Sequence, residues 1–135
     1  MPVIKRYVEY ILQRAAELDR LELKGPVEHY AATYLLQSQA QALIDIAERA
    51  ASLLGYTVEG YIDAGKKLLQ AGVIDEEEYR HYVAVVRFRD VVVHQYAAVD
   101  LKAVEKIVEE KLYKKTAELA LKIAERIERA VGEDP

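Results

Sequence analysis

Apolar residues recur at helical spacing almost from end to end of this 135-residue chain. That periodicity restricts it to packed helices. Val3, Tyr7, Tyr10, Ile11, Leu18 and Leu21 share one side of a first segment expected to run from Val3 to about Leu23. Gly25-Pro26 closes it and opens the next, since glycine suits a helix end and proline a first helical turn. The second segment, Val27 to Leu54, carries Tyr30, Tyr34, Ala40, Leu43, Ala47, Ala50 and Leu54 along one broad side. Gly55 is its expected stop. A short helix from Tyr61 to Ala71 ends at Gly72. Asp75 then reads as an N-cap, with Glu76, Glu77 and Glu78 complementing the helix dipole. That third long helix reaches about Tyr96, and Asp100 opens a last one, Leu101 to Val131, stopped by Gly132. Val91-Val92-Val93 is β-branched, but the helical pattern continues on both sides of it. The expected fold is all-α: a single antiparallel helical bundle of four long helices plus one short helix, with 1–135 as one domain.

Composition excludes several function classes. With no cysteine there is neither a disulfide framework nor a thiolate metal site. A net charge of −4 argues against coating nucleic acid through bulk electrostatics, yet leaves room for a local basic cleft. Met1-Pro2-Val3-Ile4-Lys5-Arg6 lacks the apolar run of a signal peptide, and no segment is apolar for long enough to cross a bilayer. A cytoplasmic protein with no membrane contact is expected. Asparagine, tryptophan and cysteine are absent while charged residues abound, a balance found in thermophiles.

The chemistry concentrates in Arg87-Phe88-Arg89-Asp90-Val91-Val92-Val93-His94-Gln95-Tyr96, an Arg-x4-His-x-Tyr pattern inside an apolar helix. Polar groups there are costly unless they are paired or open onto a site. Arg89 and Tyr96, seven apart, point nearly the same way, whereas His94 lies about 140° round the helix from Arg89. Either the helix loosens near the motif, or a twofold dimer supplies the complementary group from a second copy. Histidine can move a proton off or onto a ribose or leaving-group oxygen, and arginine can hold a phosphate through two donors. Together they suit phosphodiester cleavage without a metal. Asp90, one turn before His94, can orient an arginine or raise a histidine's basicity. On spacing alone, a buried histidine satisfied by a carboxylate remains the commoner explanation.

The flanks weigh against it. Glu28-His29-Tyr30-Ala31-Ala32-Thr33-Tyr34-Leu35-Leu36-Gln37, Ala42-Leu43-Ile44-Asp45-Ile46-Ala47 and Gly55-Tyr56 closely resemble the second helix of the HepT family. Gly72-Val73-Ile74, the Arg87–Tyr96 stretch and Val99-Asp100 resemble later parts of the same family. These proteins are small, all-helical members of the HEPN superfamily, and the resemblance covers nearly the whole chain. It implies a metal-independent endoribonuclease, the toxin of a toxin–antitoxin pair, cutting RNA in a cleft of a homodimer without a cofactor. Arg89 and His94 would be the catalytic pair. Tyr96 would be where a minimal nucleotidyltransferase antitoxin of the MNT type attaches adenylates. Many relatives have asparagine where this chain has Asp90, which makes the site more negative.

Other patterns carry less. Glu78-x-x-His81 has the spacing of a carboxylate-bundle metal site but lacks a second copy, so an exposed helix face is expected. His29 reads as a surface or helix-start residue. Tyr30, Tyr34 and Tyr79 are expected in the core. The run Glu105-Lys106, Glu109-Glu110-Lys111, Lys114-Lys115 reads as a solvated helix face with i,i+4 pairs. The runner-up function is a non-catalytic helical binding module that partners a nucleotidyltransferase. A metal-carboxylate bundle is a weaker third.

Overall fold

A computed structural model describes residues 3–95 and 99–132. Those residues form six helices and no strand: α1 (Val3–Arg20), α2 (Pro26–Leu53), α3 (Tyr61–Gln70), α4 (Glu76–His94), α5 (Leu101–Glu109) and α6 (Leu112–Val131). The all-α bundle expected from the periodicity is what forms. Among the described residues no helix is long and apolar enough to cross a membrane. Asp75 caps α4 as expected, in a reciprocal box. Its Oδ1 accepts from the Glu78 backbone N–H at 2.8 Å, and Glu78 Oε1 accepts from the Asp75 N–H at 2.9 Å.

Helix α2 lies at the centre and packs against α1, α3, α4, α5 and α6. Between Gln39 and Ala47 it buries Gln39, Ala40, Ala42, Leu43, Ile44, Ile46 and Ala47. That covers most of its circumference, and the alanines let neighbouring helices come close. Gln39 is buried without being orphaned. Its Nε2 donates to the Tyr113 carbonyl at 3.0 Å and more weakly to the Ile11 carbonyl at 3.4 Å, linking α2 to α6 and α1.

Two features depart from the sequence expectations. The last helix is not continuous, because Lys111 adopts a left-handed conformation at φ 54° and separates α5 from α6. For a non-glycine residue that costs roughly 1–2 kcal/mol. The bend is offset by packing, since it lets α5 bury Val104 while α6 buries Tyr113, Ala117, Ala120 and Ile123 against the core. Tyr30 and Tyr34 are 65% and 62% exposed rather than buried. They sit two residues either side of buried Ala32, about 200° round the helix from it, and so face away from the core. Tyr79 does pack against the core, as expected.

Helices α3 and α4 touch at Gly65. A Cβ built there would lie 2.4 Å from the ring of Tyr82, which is fully buried. The Tyr82 hydroxyl donates to the Tyr61 carbonyl at 2.6 Å, so this contact also sets the start of α3. Helix propensity favours alanine over glycine by roughly 0.5–1 kcal/mol, while overpacking costs about 1–3 kcal/mol. Overpacking should win. Gly65→Ala is expected to lower the urea midpoint, and a raised midpoint would show that Tyr82 has room to move.

Candidate functional site

Arg89 follows Tyr82 and Val86 along the buried side of α4, seven and three residues on, so it points inward toward α2 and α3. Its side chain is 15% exposed. At that depth the guanidinium needs partners, and it has three. Nε donates to Gln41 Oε1 at 2.8 Å, Nη1 donates to Asp90 Oδ1 at 3.1 Å, and the guanidinium carbon lies 5.1 Å from the centre of the Tyr61 ring. Gln41 uses its other end as well, donating from Nε2 to Asp45 Oδ1 at 3.0 Å. A relay therefore runs from Asp45 through Gln41 to Arg89 and out to Asp90. Burial raises the Asp45 pKa from the usual carboxylate value, against the pull of the Gln41 bond and the Arg89 charge.

The structure joins Arg89 to Asp90 and leaves His94 apart. Asp90 pairs with the arginine, one of the two partners its position allowed. It makes no hydrogen bond to His94 among the described residues. Helix α4 stays α-helical through His94, its last residue, which is exposed beside exposed Val91 and Val93. The first way of bringing the pair together, a loosened helix, is therefore absent. Tyr96 lies outside the described residues.

Sequence reasoning missed Gln41, Asp45 and Tyr61 as site residues. The available signal was a glutamine and an aspartate four apart inside an alanine-rich, core-forming helix, where each needs a reason to be there. Tyr34, Gln37, Gln41 and Asp45 also line a groove of about 490 Å³ between α1 and α2, beside the arginine. Its far wall comes from Arg6, Tyr7 and Tyr10.

This fold is found in known proteins. Two solved structures superpose on the chain. One is a toxin–antitoxin with AMP-PNP (TM-score 0.77, 17% identity, 89% of this chain and 98% of that one). The other is a tyrosine-to-alanine mutant of the toxin–antitoxin MntA-HpeT (TM-score 0.74, 17% identity, 87% of this chain and 96% of that one). At that identity they show the fold. A protein of Archaeoglobus fulgidus named "Putative RNase" is 30% identical over 121 residues, covering 90% of this chain and 87% of that one. The family profile described as "Ribonuclease HepT-like" matches residues 4–128. The chain belongs to the HepT-like ribonuclease family.

The remaining charged candidates are structural ties. Glu78 and His81 do not form an exposed face. Glu78 Oε1 accepts from Arg126 Nη1 at 2.8 Å, its Oε2 lies 3.6 Å from Lys122, and His81 Nε2 is 2.9 Å from Thr116 Oγ1. Partners on α6, invisible in the local spacing, draw both inward. No group of three His, Asp or Glu able to hold a metal occurs among the described residues. His29 sits in the first turn of α2, at a helix start as expected, but it is largely covered rather than at the surface, bonding the Gly25 carbonyl at 2.7 Å and Glu105 Oε1 at 2.6 Å. In the charged run, Lys114 pairs with Asp19 and Lys115 with Glu77, so these contacts cross between helices instead of running i,i+4.

Burial, helped by the Lys115 charge, pushes His81 down to about 4. In the folded chain it stays neutral where the unfolded chain, near the ordinary 6.5, takes up a proton. Its contribution is complete above that ordinary value and drains away as pH falls toward the folded one. His81→Gln is expected to flatten the urea stability profile between those two pH values relative to the parent chain. Parallel profiles would contradict the assignment.

Proposed function

We propose that this chain is a metal-independent endoribonuclease toxin of the cytoplasm whose active site is completed by a second copy of itself. The observation that carries this reading is the divergence of Arg89 and His94 on one unbroken helix. Arg89 is fixed toward the core by Gln41, Asp90 and Tyr61, while His94 stands exposed about 140° away. One phosphate cannot readily meet both within a chain. A twofold pairing across the exposed end of α4, where Val91 and Val93 offer apolar surface, sets the Arg89 of one protomer against the His94 of the other.

The chemistry follows from these groups. His94 accepts the proton of a ribose 2′-hydroxyl, the 2′-oxygen bonds to the adjacent phosphorus, and the bond to the 5′-oxygen breaks. The departing oxygen takes a proton from an imidazolium or from water, leaving a 2′,3′-cyclic phosphate and a 5′-hydroxyl. Arg89 stabilises the charge that grows on the phosphoryl oxygens. Its Nε and one Nη1 hydrogen are committed to Gln41 and Asp90, so three of its five N–H donors remain for phosphate. Asp90 keeps the guanidinium aligned, at the cost of placing a carboxylate beside an anionic substrate.

Restraint comes from a minimal nucleotidyltransferase antitoxin that transfers AMP from ATP to the Tyr96 hydroxyl, releasing pyrophosphate. Tyr96 lies seven residues after Arg89 in sequence, and an adenylate on its hydroxyl adds bulk and negative charge that oppose an anionic substrate. Membership of a ribonuclease family and a fold shared with toxin–antitoxin structures support this reading.

Purified protein is expected to cut single-stranded RNA in the presence of EDTA. Arg89→Ala and His94→Ala should each lower the rate by about 100-fold or more with helical content unchanged. Protein co-expressed with its nucleotidyltransferase should gain adenylate-sized mass that Tyr96→Phe abolishes. A protein that leaves RNA intact at high concentration, is harmless when expressed alone, and still binds the nucleotidyltransferase after both alanine substitutions would be the non-catalytic module instead.

A further inference from the structure

Helix α1 turns Arg6, Tyr7 and Tyr10 toward α2, which answers with Tyr34, Gln41 and Asp45 across the groove of about 490 Å³. That volume falls within the range of small-ligand sites. The core does not need Tyr34. Its ring stands in solvent at the mouth, shared with a second groove of about 570 Å³ that reaches Val92 on α4. At the other end, Asp45 is partly withdrawn from water and accepts from the Gln41 amide. Gln41 also receives Arg89, so a single side chain separates the groove from the proposed phosphate-binding arginine.

Resting on the nuclease reading above, we propose that this groove is a nucleobase subsite that takes an unpaired guanine of the RNA beside the scissile phosphate. An unstacked base presents a flat π face and a polar edge, and single-stranded RNA is recognised by stacking the first and hydrogen-bonding the second. Tyr7 on the α1 wall provides a ring for the base and Asp45 an acceptor at the inner end, while Tyr34, about 16 Å along α2 from Asp45, provides a ring for a neighbouring base. An ionised carboxylate accepts two hydrogen bonds side by side from guanine N1–H and N2–H. Adenine sets an acceptor beside its single amino group, uracil flanks its one N–H with two carbonyls, and cytosine offers only its amino group. Guanine is the base that fits. Arg6 on the groove wall and Arg89 beyond Gln41 place positive charge near the phosphates on either side.

The test uses the full chain and fluorescent 2′-O-methyl oligonucleotides that differ in one base. These lack the 2′-hydroxyl and cannot be cut, so binding is read apart from cleavage. The guanine oligonucleotide is expected to bind about 10-fold tighter than the adenine one. Asp45→Asn should erase that preference, and Tyr34→Ala should weaken every oligonucleotide by a similar factor. Equal affinity for all four bases, or a guanine preference that survives Asp45→Asn, overturns the proposal. So does loss of the dimer in Tyr34→Ala by sedimentation, which would assign the groove to contact between copies. A protein that selects guanine but cuts no RNA keeps the subsite and loses the nuclease. One that cuts RNA without base preference does the reverse.

Discussion

The burial of the middle of α2, from Gln39 to Ala47, is the constraint on which the rest of this structure depends. A helix surrounded by five others can offer no ordinary solvated face along its middle, so each polar side chain there must find a partner within the protein. Gln39 finds backbone carbonyls on α1 and α6. Gln41 finds Arg89 on α4 and Asp45 on its own helix. The alanines between them set the distances at which the other helices approach. The arginine's position is thus a consequence of how α2 is packed.

Around Arg89 the same logic operates at closer range. A guanidinium on the buried line of Tyr82 and Val86 would be expensive alone. The amide of Gln41, the carboxylate of Asp90 and the ring of Tyr61 compensate from three directions and leave it one geometry. Tyr61 is itself placed by the Tyr82 hydroxyl, which depends on the glycine beneath the Tyr82 ring. A chain of contacts from Gly65 to Arg89 ties the α3–α4 packing to the site. His94 belongs to none of it. At the open end of α4 it makes no side-chain hydrogen bond among the described residues, and that contrast between a partnered arginine and an exposed histidine is what a second protomer would resolve.

Much of this was legible in the sequence, for identifiable reasons. Glycine and proline mark the helix ends because their backbone preferences are local, and the Asp75–Glu78 box lies within one turn. The divergence of Arg89 and His94 follows from helix arithmetic. What escaped depends on distant residues. Lys111 bends the chain without a breaker residue, because the separate packing of α5 and α6 outweighs its strained backbone. Tyr30 and Tyr34 belong to an apolar pattern too broad to show which side meets the core. Glu78 and His81 look exposed until Arg126 and Thr116 arrive from α6. Gln41 and Asp45 acquire meaning only when α4 brings Arg89 to them.

A composite site makes a sharp demand on mixed dimers. When Arg89→Ala and His94→Ala chains are unfolded together and refolded at equal concentration, half the dimers are mixed, and each mixed dimer holds one intact arginine–histidine pair. RNA cleavage should return to about a quarter of the parent activity, although neither variant alone is active. If each chain carries its own complete site, the mixture stays as inactive as its components, and that result would contradict the account.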